Sequence, residues 1–264
     1  MITLNSMFIM KKKYFISIII CLCLFGCKDK ENQDGELVSN APEKAFSVAS
    51  DKYVKFAQGN LRHNTATNEY RISDHQYDMI GNANYHSPWS FEDTNTEVWQ
   101  DLFYDYDLDN GISITNAGNK DWKLLNNTQW EYLISGRPNS YKLYGVGIVN
   151  NVNGLILLPD KWDFSNHKTF NYGLSGSFNN NAFTLDEWKE YENDGAVFLP
   201  ASGRMSEDGI NTGKTGEYWT GSTQDTNDND YSFFFLFQCD DWSIARVESG
   251  GDFCRAYRFV EFVQ

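Results

Sequence analysis

Basic residues, histidines, prolines and cysteines are all scarce in this chain. Its 264 residues include 22 Lys and Arg against 36 Asp and Glu, a formal charge of −14 at pH 7. Phosphate backbones are bound by clustered cations that displace counterions, and no such cluster occurs outside the N-terminus. Nucleic acid is therefore excluded as a partner, and an anionic membrane surface is disfavoured for the same reason. His63, His75, His86 and His167 make neither an HExxH motif nor an i, i+4 pair, so neither helical zinc-site pattern is present. "GLSGS" (173–177) lacks the closing glycine of a nucleophile elbow. The stretch 62–264 carries no obvious fixed-period repeat, which argues against a solenoid or propeller.

What is present is the composition of a globular protein. Hydrophobic residues make up 41 %, charged residues 22 % and aromatic residues 16 % of the chain, well above the apolar content of a disordered one.

The N-terminus accounts for its own cations. From Met10 the chain reads "MKKKYFISIIICLCLFGC": Lys11, Lys12 and Lys13, then an apolar run from Tyr14 to Phe25. That run has signal-peptide length and is too short for a standard membrane span. It ends in Leu24-Phe25-Gly26-Cys27, which resembles a bacterial lipobox, where a small residue precedes a cysteine that receives diacylglycerol. The expectation is a signal peptide over 1–26, with 1–9 an over-extended start and Met10 or Met7 the initiator, and lipidation at Cys27. Each acyl methylene buried in the bilayer contributes about 0.8 kcal/mol, so two or three chains hold firmly. "KDKENQDGE" after Cys27 cannot bury apolar area and reads as part of a flexible tether over 27–44. Its acidic residues resemble the surface-export signal of some Gram-negative lipoproteins, which implies an outer-membrane lipoprotein exposed at the cell surface and touching the membrane only through its anchor.

Residues 45–264 read as one domain. "FSVASDKYVKFAQGNL" (46–61) carries two β-rich pieces with a polar break, an opening hairpin. Residues 62–121 are polar and irregular but hold many aromatics, as in ordered loops pinned by large rings. "NNTQWEYLI" (126–134) and "TLDEWKEYEND" (184–194) each start with capping-box spacing, Asn126 with Gln129 and Thr184 with Glu187. Trp130, Leu133 and Ile134 mark the buried face of the first helix, and Leu185 and Trp188 that of the second, which Gly195 closes. "LILLP" and "AVFLP" lack alternation, so both faces should be covered, and each is stopped by a proline. "EYWTGS", "YSFFFLFQ", "WSIARVES" and "FCRAYRFVEF" complete the strands.

These segments fall in a recognisable order: "FSVASDKYVKFAQGNLRH", "QYDMIGNAN", "DLF", "WKLLNNTQWEYLISGR", "NGLILLPDKWD", "GAVFLPASGR" and "GEYWTGST". The order, covering about residues 45–264, resembles a group of secreted bacterial lipoproteins similar to the major-paralogous-domain (FISUMP) family. It is more distantly similar to sulfatase-modifying formylglycine-generating enzymes. The resemblance implies an α+β, C-type-lectin-like fold with two short helices, small antiparallel sheets and long irregular loops. It implies little about activity, because a fold does not settle function.

The formylglycine-generating relatives use paired C-terminal cysteines. Here "RVESGGDFCRAYRF" (246–259) holds Cys254 alone, and Cys239 lies upstream of its expected place. The two are open to a disulfide or to two buried thiols. "DYDLDNG" (105–111) and "DTNDND" (225–230) begin like calcium loops, but Asn116 and Leu236 stand where the closing glutamate belongs. No cofactor is expected, and a looser calcium site stays open beside the alternative of solvated acidic loops. The candidate ligand-binding residues are Asp228, Asp230, Asp240, Asp241 and Trp242, on polar tips between strands. There an aromatic platform beside carboxylates suits sugar recognition, with a core role for Trp242 as the alternative.

The expected function is a non-enzymatic, lipid-anchored binding or adhesion module for glycan or protein ligands. The alternatives are a formylglycine-generating-type oxidase or modifying enzyme, a structural subunit, or a variable receptor of a diversity-generating retroelement. Cys27→Ala is expected to abolish incorporation of labelled palmitate and to release the chain from the membrane fraction; labelling that survives the substitution would refute the anchor.

Overall fold

Short apolar runs punctuated by Gly, Asn and Asp become short strands, and long irregular connections join them. The computed structural model describes residues 41–64, 67, 69–79, 99–100, 113–206, 209–226, 229–248 and 254–264. They belong to one compact unit, Leu37–Gln264. The expected signal peptide and Cys27 lie outside the described residues. Packed structure already includes Ala41, which is buried, ahead of the expected boundary at 45. Among the described residues no helix is long and apolar enough to cross a membrane.

The architecture is mixed α+β, built from small, mostly antiparallel sheets with two short α-helices. β1 (Phe46–Ala49) and β2 (Lys52–Phe56) form the expected opening hairpin, and the last strand, β15 (Val260–Val263), pairs with β2. The two ends of the described domain thus share one sheet. β3 (Leu61–Asn64) lies between β4 (Glu69–Ile72) and β5 (Trp99–Gln100).

Helix α1 (Asn127–Glu131) begins with the capping box of Asn126 and Gln129, then widens into a π turn over Tyr132–Gly136. The widening has a visible partner. Arg137 follows the turn, donates its backbone N–H to Tyr132 O, and sends its guanidinium back to Leu133 O at 2.7 Å. Trp130, Leu133 and Ile134 are buried, and Trp130 stacks on Phe235 at 4.4 Å with the rings nearly parallel.

The central sheet has the order β8-β6-β7-β9. β6 (Tyr144–Val149) and β7 (Val152–Leu157) form a tight hairpin, and Asn150 and Asn151 both adopt positive φ at its tip. Two-residue hairpins need that left-handed backbone, which Asn tolerates. β8 (Ala182–Phe183) pairs parallel to β6, while β9 (Val197–Pro200) pairs antiparallel to β7. Alternate residues of β7 and β9 enter different cores. Leu155, Leu157, Val197 and Leu199 pack with Trp130 and Phe235; Ile156 and Phe198 pack with helix α2 (Leu185–Asn193). Both faces are covered, and the lack of alternation follows from that.

Helix α2 carries the Thr184–Glu187 capping box and ends at Gly195, whose φ of 97° no β-carbon would allow cheaply. Its inward face is Trp188 and Tyr191. Leu185, expected inside, is 38 % exposed: it sits in the first turn, about 60° round the helix from Trp188 and about 120° from Tyr191, at the margin of the buried face.

β10 (Met205–Ser206) and β11 (Gly209–Ile210) make a small ribbon. β12 (Gly216–Asp225), β13 (Asp230–Phe237) and β14 (Trp242–Glu248) form a meander. "YSFFFLF" is two-faced: Phe235 and Phe237 enter the main core, while Phe234 joins Leu61, Trp219, Tyr257 and Phe259 in a third cluster.

Among the described residues four arginines are buried: Arg62, which pairs with Asp78 at 3.4 Å, and the more deeply placed Arg137, Arg255 and Arg258. Arg137 pairs with Asp160 at 2.9 Å, both essentially fully buried, and also donates to Leu158 O and Leu143 O. Arg255 pairs with Glu217 at 2.8 Å and lies over the Phe234 ring at 3.7 Å. Arg258 bonds the carbonyls of Ala57 and Phe198. Burial pushes its pKa down to about 10, which leaves it cationic at neutral pH. Removing one partner of a buried pair strands the other charge, a loss of about 3–5 kcal/mol. Asp160→Ala is therefore expected to lower unfolding free energy by about that much in urea titration; a change within error of zero would refute the role of the pair.

Candidate functional site

The acidic strand tips are not one site. Asp230 pairs with Asp225 at one end of β13, whereas Trp242 pairs with Phe237 at the other. Seven residue steps of an antiparallel strand separate the ends by about 24 Å, so Asp230 and the group Asp240, Asp241 and Trp242 do not converge. Asp228 lies outside the described residues. At the far tip Asp240 and Asp241 are exposed, and the Asp241 carboxylate accepts the Trp242 N–H at 2.8 Å, its own loop's hydrogen bond. Trp242 itself is half-buried against the main core, 6.3 Å from the Phe235 ring. One side of its ring packs on that core, and the ring is not fully covered.

No disulfide joins the two cysteines; both are reduced thiols. The reason is topological. Residues 254–256 run along one edge of β12, where Ala256 pairs with Tyr218, and β13, which leads to Cys239, runs along the other. Cys254 is buried in the main core with 2 % exposure. Among the described residues no three His, Cys, Asp or Glu side chains gather as a metal site. The loop 105–111 lies outside them.

Two hollows remain. The larger, about 470 Å³, lies between the start of α1 and β15. Its polar side chains already have protein partners: Asn126 with Gln129, Lys123 with Asp121, Glu261 with Lys120. The smaller, about 220 Å³, is walled by aromatic rings: Trp162, Phe164, Phe170 and Tyr172, with His167 and Thr169.

The segment 159–172 forms this second cleft as a strap held at both ends and in the middle. At the start Asp160 is gripped by Arg137 and by the Ser47 backbone N–H at 3.1 Å. Asp163 then caps a tight turn, accepting from Ser165 N, Ser165 Oγ and Asn166 Nδ2, and those bonds hold its carboxyl below the ordinary carboxylate range. In the middle Tyr191 Oη donates to Lys168 O at 2.7 Å, and the Lys168 ammonium reaches Ala182 O and Glu187. At the end the buried Asn181 amide bonds both the N–H and the C=O of Asn171.

Behind the strap the rings are layered. His167 stacks on Trp162 at 4.2 Å and leans on Tyr191 at 4.7 Å. Its side chain is 4 % exposed, with Nε2 3.0 Å from Asp194, while the buried Nδ1 makes no hydrogen bond among the described residues. In front, Phe164 (44 %), Tyr172 (51 %) and Tyr141 (55 %) are exposed, and Tyr141 meets Tyr172 edge-on at 6.0 Å. These three belong to none of the three cores. Large exposed rings gathered at a cleft on a braced segment are what a binding surface presents. The sequence signal was the aromatic density of "KWDFSNHKTFNYG" (161–173), which reads as ordinary polar loop until the fold sets Tyr141 beside it.

No family model matches the chain, and neither a curated protein nor a solved structure shows significant similarity to it.

Tyr191 offers a test of the strap. Burial, reinforced by the Glu187 charge, pushes its phenol from 10.0 up to about 12. The unfolded chain gives up this proton near 10 and the folded one near 12, so the stabilisation is whole below pH 10 and is lost as pH rises through 12. Over that range wild-type urea midpoints should fall more steeply than those of Tyr191→Phe; parallel curves would show that the phenol is not held protonated.

Proposed function

We propose that the chain is a lipid-anchored binding or adhesion module that offers a C-type-lectin-like domain to glycan or protein ligands at the bacterial outer surface. One observation carries the reading: Phe164 and Tyr172, each more than two-fifths exposed, line an aromatic cleft on a strap braced from behind, and the exposed Tyr141 meets Tyr172 at 6.0 Å from outside the strap. Leaving that much ring surface in water forgoes roughly 25 cal/mol of stabilisation for each Å² that could have been buried, and a ligand that covers it gains that contribution on binding. The small antiparallel sheets, two short helices and long connections agree with the lectin-like reading, and the Leu24-Phe25-Gly26-Cys27 phrase supports the anchor.

The formylglycine-type oxidase is the weaker reading. A redox thiol works as an accessible thiolate, and Cys254 is buried among Trp130, Tyr218 and Phe235. The buried Arg255 beside it is committed to Glu217.

Glycan arrays and envelope-protein pull-downs with the purified chain test the proposal. Selective, saturable capture of a glycan or a surface protein is expected. Turnover of a peptidyl cysteine that is lost in Cys254→Ser would overturn it.

A further inference from the structure

We propose that the aromatic cleft is a subsite for one uncharged pyranose ring of a larger glycan. The inference rests on the binding reading above and adds the place and the chemical class.

Size limits the ligand first. At about 220 Å³ the cleft is smaller than the roughly 300–1,000 Å³ that encloses a drug-sized molecule. A single six-membered ring with its substituents suits that space, and a longer glycan would continue out of the open side.

The lining selects an amphipathic ligand. A pyranose has a face of C–H groups and a rim of hydroxyls. The C–H face is weakly positive and packs on the negative face of an aromatic ring, which the exposed rings of Phe164 and Tyr172 supply. Its hydroxyls need donors and acceptors. The exposed Thr169 hydroxyl is unengaged within the described protein, and the half-exposed Asp194 carboxylate flanks the site through His167. A purely apolar ligand would leave these groups without purpose.

Charge narrows the class further. Outside the lining itself, Asp163 stands between Trp162 and Phe164 in the chain and Asp194 pairs with His167; the lysine of the lining, Lys168, is already neutralised by Glu187, and the chain carries −14 overall. An acidic sugar would meet net repulsion. A quaternary ammonium also favours aromatic walls, but its head group offers no hydroxyl to the exposed Thr169 side chain in the lining. The uncharged, hydroxylated ring meets neither difficulty.

The test uses the full chain in detergent micelles, titrated with methyl glucoside, methyl galactoside and methyl mannoside at millimolar concentration and followed by tryptophan fluorescence and ligand-observed NMR. At least one is expected to bind. Phe164→Ala and Tyr172→Ala should each weaken it about three- to tenfold, the worth of one aromatic contact, while Tyr172→Phe should retain it. Both exposed substitutions should leave the thermal midpoint unchanged, which separates lost contact from lost fold. Binding confined to a methyl uronide or to choline would overturn the uncharged-ring assignment. Array binding undiminished in the Phe164→Ala, Tyr172→Ala double variant would overturn this site while leaving the binding reading intact. A chain that captures neither glycan nor protein would remove both.

Discussion

The constraint on which the structure depends is the double-sided burial of the β6–β7–β9 sheet. Its strands are apolar on both faces, so each face must be covered, by Trp130 and the π turn on one side and by α2 on the other. A sheet so enclosed cannot leave its edge groups to water. β9 is an edge strand, and side chains stand in for the missing neighbour: Gln76 donates to Ala196 O and accepts from Phe198 N, and Arg258 reaches Phe198 O. Sheet edges left open are sites of unwanted pairing. Here the edge is closed by residues far apart in the chain, which ties residue 76 and the C-terminal segment to the same frame.

Buried arginine follows from the same problem. A fold made of short strands ends often, and every ending leaves backbone carbonyls to satisfy. A guanidinium carries five donors and stays charged, so one side chain can serve several endings. Arg137 collects the carbonyls of Leu133, Leu143 and Leu158 while it holds Asp160. The outcome reaches the cleft, because Asp160 is the point from which the strap departs. The scaffold's interior electrostatics thereby position the exposed rings of Phe164 and Tyr172.

Much of the scaffold was legible from local chemistry. Capping boxes at Asn126 and Thr184, the opening hairpin at 46–56 and the unalternating Leu-Pro runs each depend on neighbours in sequence. The β6–β7 hairpin was equally local, in the Asn150–Asn151 pair, but the glycines of "YGVGIVNN" thin its apolar pattern. The inward face of α2 was read half correctly. Trp188 and Tyr191 face the sheet, and only the sheet's position decides that Leu185 does not.

The sequence by itself determined the class of elements, the two-faced strands and the acidic, cation-poor surface, because periodicity, capping and charge act over a few residues. Tertiary structure alone decided which distant residues share a place. It separated Asp230 from Asp240 and Asp241 by the length of β13, turned Trp242 toward the core, kept Cys239 and Cys254 on opposite sides of β12, and brought Tyr141 to Tyr172. The physical reason is that a strand's direction and a sheet's order are set by burial summed over the whole domain, and no short stretch contains that sum.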